Sequence, residues 1–374
     1  MTGKEIIQHL EQWAPKGIAW EKDNVGLQVG NLQTKVKNIL LSLDLSDKVI
    51  EAAKKDNCNL IITHHPLLFQ PIKSLNFTSS RKSIMIETLI KNNITLYSAH
   101  TNLDFTKEGV SYQLARKLGL LNIRFLKNLS HNQFKLVVFV PESHLNKVAD
   151  AIHKAGGGII GEYSNCSFNT KGKGTFKGSD QSNPVIGQRN LVETVDEIKL
   201  EIIVDKWKLN SAINYMRSAH PYEEVAFDVY PLQSENVNYG IGAIGELKQS
   251  LNNEDFFEYV SSKLKIQAFR HTKHAKNRIK TVAVCGGSCS ELIDESINQK
   301  ADAFITADIK YHSFQDAENK ILLIDAGHYE TEVHVLDELK KRLEIYLKNN
   351  KSIKVLKFKG STNPIYFYNN SGAN

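Results

Sequence analysis

The chain has 374 residues, 41% of them hydrophobic and 24% charged, a length that suits two domains and a composition that excludes disordered and fibrous classes. Its 47 basic and 41 acidic residues give a formal charge of +6, but the two signs are intermixed, whereas nucleic-acid binders concentrate theirs on one face.

The opening residues, MTGKEIIQHLEQWAP, lack the basic start, apolar middle and small-residue cleavage site of a signal peptide. Runs such as ILLSL and KLVVFV fall far short of the ~20 residues a membrane helix needs, so the expectation is a cytoplasmic protein with no membrane partner. In chain order, VKNILLSLDLS reads as a strand and DKVIEAAKKDN as a helix, with Asp47 after Ser46 marking a helix start. NLIITHHPLLF is strand and turn, SIMIETLIKNN helix, and ITLYSAHTNLD another strand. Strand ends recurring at roughly 35 residues suit βαβ units and a largely parallel sheet.

The middle of the chain changes grammar. FKLVVFVP is a strand, Leu145, Val148, Ala149 and Ile152 mark an amphipathic helix, and Gly156-Gly157-Gly158 ends it. EIKLEIIVD is a strand, Leu209, Ile213 and Met216 mark a helix, and VAFDVYPL is a strand, with the polar, Gly-rich CSFNTKGKGTFKGSDQSNPVIG between the halves. Two β-α-β halves describe a ferredoxin-like α+β domain, placed at residues 128–238. The βα grammar then returns in TVAVCGG, SELIDESINQK, ADAFITAD and ILLIDAG, and a long helix starts near His328, with Leu336, Leu339 and Leu343 on one face. The predicted fold is therefore an α/β domain, residues 1–127 plus 239–374, with a largely parallel sheet, interrupted by the α+β insert. Cys58, Cys166, Cys285 and Cys289 contain no CxxC pair and read as reduced thiols, with CGGSC a strand end. The densest basic stretch, residues 270–280, reads as a solvated loop or strand edge.

Five residues carry the candidate chemistry. His64 and His65 lie where NLIIT meets Pro66. Successive side chains on an extended backbone diverge, and a residue before proline is held extended, so the pair serves two neighbouring ions, one histidine each. Asp104 closes the next strand unit, at the carboxyl edge where open α/β sheets bind ligands. His328 and Glu332, four apart at a helix start, share a face. Three histidines and two carboxylates suit Zn²⁺, Fe²⁺, Mn²⁺ or Co²⁺, zinc first, and are too rich in nitrogen for Mg²⁺ or Ca²⁺. With five ligands for two ions, one carboxylate and a water must bridge. Asp23, Asn24, Asp44, His100, Thr306, Asp308, Lys310 and His312 crowd the same edges as supporting or substrate contacts. His9, His131, His144, His153 and His334 read as surface residues without partners.

THHP, HTNLD, GHYETE, WEKDNVGLQVG, ITADIKYH and HPYEE resemble the Nif-three-like dinuclear-metal family, catalogued as type 2 homologues of GTP cyclohydrolase I. The likeness runs from about residue 4 to 369 and includes the longer bacterial form, whose insert is similar to PII and CutA proteins. Carried over by position, the family's ligands fall on His64, His65, Asp104, His328 and Glu332. The resemblance implies that Glu332 bridges, that His64 and Asp104 hold one ion and that His65 and His328 hold the other. It also implies a ring-shaped homohexamer. Ala307 departs from the glycine common in the family's ITGD turn.

The family's catalogue name implies a metal-dependent hydrolase acting on a nucleotide, with opening of the GTP imidazole ring at C8 the leading case. His100, His312 and Asp308 are the candidate catalytic residues, the histidines as general acid or base. The alternative is a non-enzymatic protein that binds or delivers metal, or a scaffold that responds to a ligand of the insert. Nucleic-acid binding through the pore of a ring is a weaker third reading.

Overall fold

The computed structural model describes residues 1–273 and 278–368, so residues 274–277 of the basic stretch lie outside the described residues. The strands in chain order are β1 (Gly26–Val29), β2 (Asn38–Ser42), β3 (Leu60–Thr63), β4 (Thr95–Ser98) and β5 (Leu121–Ser130). β6 (Gln133–Pro141), β7 (Phe168–Lys177), β8 (Val192–Asp205) and β9 (Phe227–Leu232) follow. The last are β10 (Glu235–Leu251), β11 (Arg270–His271), β12 (Ile279–Ser288), β13 (Ala303–Ala307), β14 (Leu322–Asp325) and β15 (Lys354–Lys357). The chain divides into two compact units, residues 1–127 with 239–374, and residues 128–238.

The larger unit holds two sheets, where the sequence predicts one largely parallel sheet. The first runs β1-β4-β3-β2-β15 and the second β11-β14-β13-β12-β10-β5. Each has a parallel centre (β4-β3-β2-β15 and β14-β13-β12) with antiparallel neighbours. Each block of βα units pairs with itself, and β15 returns the chain terminus to the first sheet. Central strands buried on both faces show no polar alternation. In β2, Ile39 and Leu41 face one core cluster and Leu40 the other. β13 likewise sends Ala303 and Ile305 to one side and Phe304 to the other.

Helix starts follow the capping chemistry read from sequence. Ser46 Oγ accepts from Val49 N at 3.4 Å and opens the helix Asp47–Lys55. Thr2 and Glu5 form a reciprocal capping box at the helix Gly3–Trp13. Two predicted elements are corrected. ITLYSAHTNLD is strand only to Ser98 and then a helical turn, Thr101–Asp104. The long helix from His328 is two helices, His328–Glu332 and Val335–Tyr346.

The smaller unit has the element order β-α-β-β-α-β, with strand order β7-β8-β6-β9 and antiparallel pairing of β6 with β8 and β9 and of β7 with β8. This is the ferredoxin-like order. Leu136, Val138 and Val140 of β6 and Ile198, Leu200 and Ile202 of β8 pack with Val148, Ile152, Ala212 and Met216 of the two helices. One covered face explains the two-residue alternation in EIKLEIIVD. The Gly-rich stretch supplies β7, which periodicity misses because the strand is exposed along most of its length. It holds its conformation by a ten-residue ladder to β8.

Candidate metal centre

β3 is apolar and fully buried, and its last residue fixes the turn that follows. Thr63 Oγ1 donates to His65 O at 2.9 Å, and the backbone N–H groups of His64 and His65 both donate to Leu43 O, at 3.1 and 3.0 Å. The two rings therefore diverge, with centroids 4.9 Å apart and planes tilted by 49°. Each presents Nε2 because Nδ1 is engaged: His64 Nδ1–H donates to Ala99 O at 2.8 Å, and His65 Nδ1–H donates to Asp44 Oδ1 at 2.7 Å. His328 repeats the device, donating from Nδ1 to Asp308 Oδ2 at 2.6 Å. Holding one imidazole nitrogen with a carbonyl or carboxylate fixes the ring and frees the other nitrogen for an ion.

Glu332 is the meeting point. Its Oε2 lies 3.0 Å from His65 Nε2, and its Oε1 lies 3.2 Å from His328 Nε2 and 3.8 Å from His64 Nε2. His65 Nε2 and His328 Nε2 are 3.2 Å apart. On the other side, His64 Nε2 is 3.6 Å from Asp104 Oδ1. Ligands on one tetrahedral ion with bonds of about 2.0–2.1 Å are separated by about 3.3 Å, and the separations here, from 3.0 to 3.8 Å, straddle that value. Both His64 Nε2 and Asp104 Oδ1 are buried without a hydrogen-bond partner. Buried polar atoms are ordinarily satisfied, so two orphans aimed at one point fit a cation. Gly287, with φ +69°, makes room for the carboxylate: a Cβ there would stand 2.3 Å from Glu332 Oε1.

Without an ion the cluster is held by protons. Burial works against charge on His65, yet hydrogen bonds to Asp44 and Glu332 outweigh it and lift its pKa to about 10. His328, also opposed by burial, rises to about 9 through Glu332 and Asp308. Burial pushes the Asp104 carboxyl up to about 7, helped by the nearby Glu332 charge. Burial of Glu332 acts upward too, but His64 and the other imidazoles hold it well below its ordinary value. An ion can replace these protons at the same atoms.

All five sequence-predicted ligands are brought together, and the described residues form two cation-sized groups, His65 with His328 and Glu332, and His64 with His65 and His100; Asp104 meets His64 outside both. Of the candidate catalytic residues, His100 stands at the centre: it groups with His64 and His65, and its ring meets theirs edge-on at 5.2 and 5.6 Å. Asp23 holds it, with both carboxylate oxygens 2.9 Å from His100 Nδ1 and with Thr101 N and Oγ1 donating to Oδ2 at 3.1 and 2.6 Å. Burial acts upward on Asp23, but His100 and Thr101 bring it down to about 2. Asp308, at φ 55°, faces His328 and orients it. His312 is not brought to the centre: it is exposed on the helix Tyr311–Ala317, with Nδ1 3.0 Å from Gln315 Oε1. Asn24 Nδ2 donates to Leu68 O at 2.6 Å and braces the loop after His65, and Thr306 Oγ1 donates to Gly287 O at 2.8 Å.

Two contributors escape sequence reasoning. Thr362 and Asn363 reach residues behind the ligands, and nothing in STNP signals it. Cys285 and Cys289, expected as reduced thiols, are joined as a disulfide, because the two glycines between them let the chain turn back to a Cα separation of 6.1 Å. Among the histidines read as unpartnered, His9 stacks on Tyr346 at 3.9 Å, His153 Nδ1 lies 3.2 Å from Gly157 O, and burial lowers His334 to about 4.

Residues 1–364 match the family model described as Duf34/NIF3 (NGG1p interacting factor 3). A Halalkalibacterium halodurans relative described as a GTP cyclohydrolase 1 type 2 homolog is 38% identical over 94% of this chain and 94% of its own. One of the same description in Bacillus subtilis is 35% identical over 98% and 99%. Among solved structures, a Bacillus cereus protein related to NIF3 matches with a TM-score of 0.84 at 35% identity, covering 98% of this chain and 99% of its own. The Staphylococcus aureus protein SA1388 matches at 0.78 and 29% identity, with the same coverages.

Proposed function

This chain belongs to the Duf34/NIF3 family, and from that membership and the geometry of the centre we propose a metal-dependent hydrolase holding two divalent ions, zinc first. The reading rests on one observation: five nitrogen and carboxylate donors converge, with His64 Nε2 and Asp104 Oδ1 buried and unpartnered. His64 and Asp104 would hold one ion and His65 and His328 the other, with Glu332 shared between them. Such a pair, when bound, supplies Lewis acidity and brings the pKa of a shared water toward neutrality.

The chain's own groups supply the rest. Asp23 accepts a hydrogen bond from His100 Nδ1–H, which leaves Nε2 to take a proton from the attacking water and then return it to the leaving group. Phe69, exposed and edge-on to His100 at 6.2 Å, gives a planar substrate an apolar wall. The relatives' description makes a nucleotide the leading substrate class, GTP first. The test has two arms. Elemental analysis of protein purified without chelator should give two ions per chain. Protein loaded with Zn²⁺, Mn²⁺, Fe²⁺ or Co²⁺ should turn over GTP or another nucleotide above the background of His65→Ala.

A second reading, a metal-delivering or ligand-responsive scaffold, is favoured by the insert. A cavity of 1170 Å³ there is lined by Phe139, Lys171, Lys173, Lys199 and Tyr222 among others, and the insert is read as PII/CutA-like. Two bound ions with no turnover in any metal form select this reading. A ring-shaped homohexamer belongs to both and is tested by the mass of the protein in solution. No helix among the described residues is long and apolar enough to cross a membrane.

A further inference from the structure

The segment after β15 reaches the centre from outside either sheet's strand ends. Thr362 Oγ1 donates to Asp44 Oδ2 at 2.6 Å, and the other oxygen of that carboxylate accepts from His65 Nδ1 at 2.7 Å. One residue on, Asn363 Nδ2 donates to Glu330 Oε1 at 2.8 Å. Glu330 lies in the helical turn His328–Glu332, between the two ligands it carries. The tail is shaped for this reach. Asn363 N donates to Ser361 Oγ at 3.1 Å, Ile365 N donates to Asn363 Oδ1 at 3.0 Å, and Pro364 holds Asn363 extended.

These contacts fall on one side of the centre. His65 arrives from the end of β3, while His328 comes from a helix 263 residues later. Thr362 holds the support of the first and Asn363 holds the helix of the second. The support of His64 is different: its Nδ1–H donates to the backbone carbonyl of Ala99, just past β4, which needs nothing from the tail.

We propose that Thr362 and Asn363 form a clasp that sets chiefly the affinity of the ion held by His65 and His328, the His64–Asp104 ion feeling it only through the shared Glu332. The clasp rests on the two-ion reading of the centre. Both are positioning residues: they touch no ion and act by fixing Asp44 against His65 and by fixing the ligand-bearing helix beside it. A hydroxyl on the far carboxylate oxygen decides how the near one meets the imidazole; a group that touches a ligand directly, as Asp44 does, is typically worth about 10–100-fold in metal affinity, and Thr362 acts through it.

The experiment uses full-length protein stripped of metal, with Thr362→Val, Asn363→Ala, the double variant and Thr362→Ser. Zn²⁺ is titrated in competition with a chromogenic chelator, and Co²⁺ absorption reports the geometry of each site. The double variant should weaken one of two affinities by up to about tenfold, clearly more than the other, and change the Co²⁺ spectrum chiefly at that site. Thr362→Ser, which keeps the hydroxyl, should return wild-type values. The clasp is overturned if wild type binds two ions and the double variant binds both unchanged. It is equally overturned if both sites weaken alike, or if the serine variant is as weak as the valine one. Uptake of a single ion by wild type overturns the two-ion reading and the clasp with it.

Discussion

Glu332→Ala is the change with the most calculable outcome. The carboxylate is 4% exposed and spans both halves of the centre, with Oε2 3.0 Å from His65 Nε2 and Oε1 3.2 Å from His328 and 3.8 Å from His64. On the two-ion reading, removing it takes a ligand from each ion at once. A site that binds only folded protein adds about 4 kcal/mol of stability when free metal stands a thousandfold above its dissociation constant, so two sites add about 8. For domains of 150–250 residues one kcal/mol moves the melting temperature by about 2–4 °C. Wild-type protein should therefore melt about 16–32 °C higher with excess Zn²⁺ than with chelator. Glu332→Ala should show almost none of that rise, whereas His65→Ala and Asp104→Ala should each keep about half. Differential scanning fluorimetry with and without chelator, read beside elemental analysis, measures both quantities. A variant lacking Glu332 that keeps one ion at wild-type affinity would refute the bridging role, since the carboxylate would then serve a single site.

Other outcomes follow from the same geometry. His100→Gln should slow turnover by about 10²–10⁴-fold with both ions retained, while His312→Gln, exposed and turned to Gln315, should leave the rate unchanged; metal loss in His100→Gln would make that residue structural. Without metal, His65 and His328 keep protons up to about pH 10 and about pH 9. Both pKa values are raised by folding, so their contribution to metal-free stability is full below about pH 6.5 and fades as pH climbs through 9–10. Ion uptake must displace those protons, so Zn²⁺ affinity should rise with pH and flatten above about 10. Calorimetry at pH 7.5 in two buffers of different ionisation heat should detect proton release, and equal heats after dilution correction would contradict it. Replacing residues 128–238 by a short Gly-Ser linker should leave a soluble protein that binds metal, because the insert's core cluster lies within its own strands and helices; an insoluble product or one without metal would show a shared core.

The centre was legible in sequence because its chemistry sits on strong local signals. A His pair before proline at the end of an apolar strand, and a His and a Glu one helical turn apart, carry their geometry in their spacing. Asp104 was placed at the right edge although HTNLD forms a helical turn, since strand end and first turn occupy the same edge. What stayed hidden depends on contacts without a periodic trace. Thr362 and Asn363 are ordinary turn residues until β15 pairs with β2 and carries them to Asp44 and Glu330. β7 lacks an apolar face, so only its ladder to β8 makes it a strand. The second sheet could not be told from the first because both obey one pattern, and which strands pair is a long-range choice. The contact of His312 with Gln315 shows the same limit: position after a strand does not say which way the next helix turns.

The separation of 263 residues between His65 and His328 also has a bearing on biosynthesis. At about 5–20 residues per second on the ribosome, roughly 13–53 s pass between the emergence of the first histidines and of the helix that completes their site. Through that interval His64, His65 and Asp104 hold only half of the candidate centre, while the insert, residues 128–238, emerges and can fold before His328 appears. On the two-ion reading, full metallation therefore waits until the helix His328–Glu332 has emerged. A nascent chain stalled before Glu332 should take up at most weakly bound metal, which makes tight metal content a report on whether synthesis ran to completion.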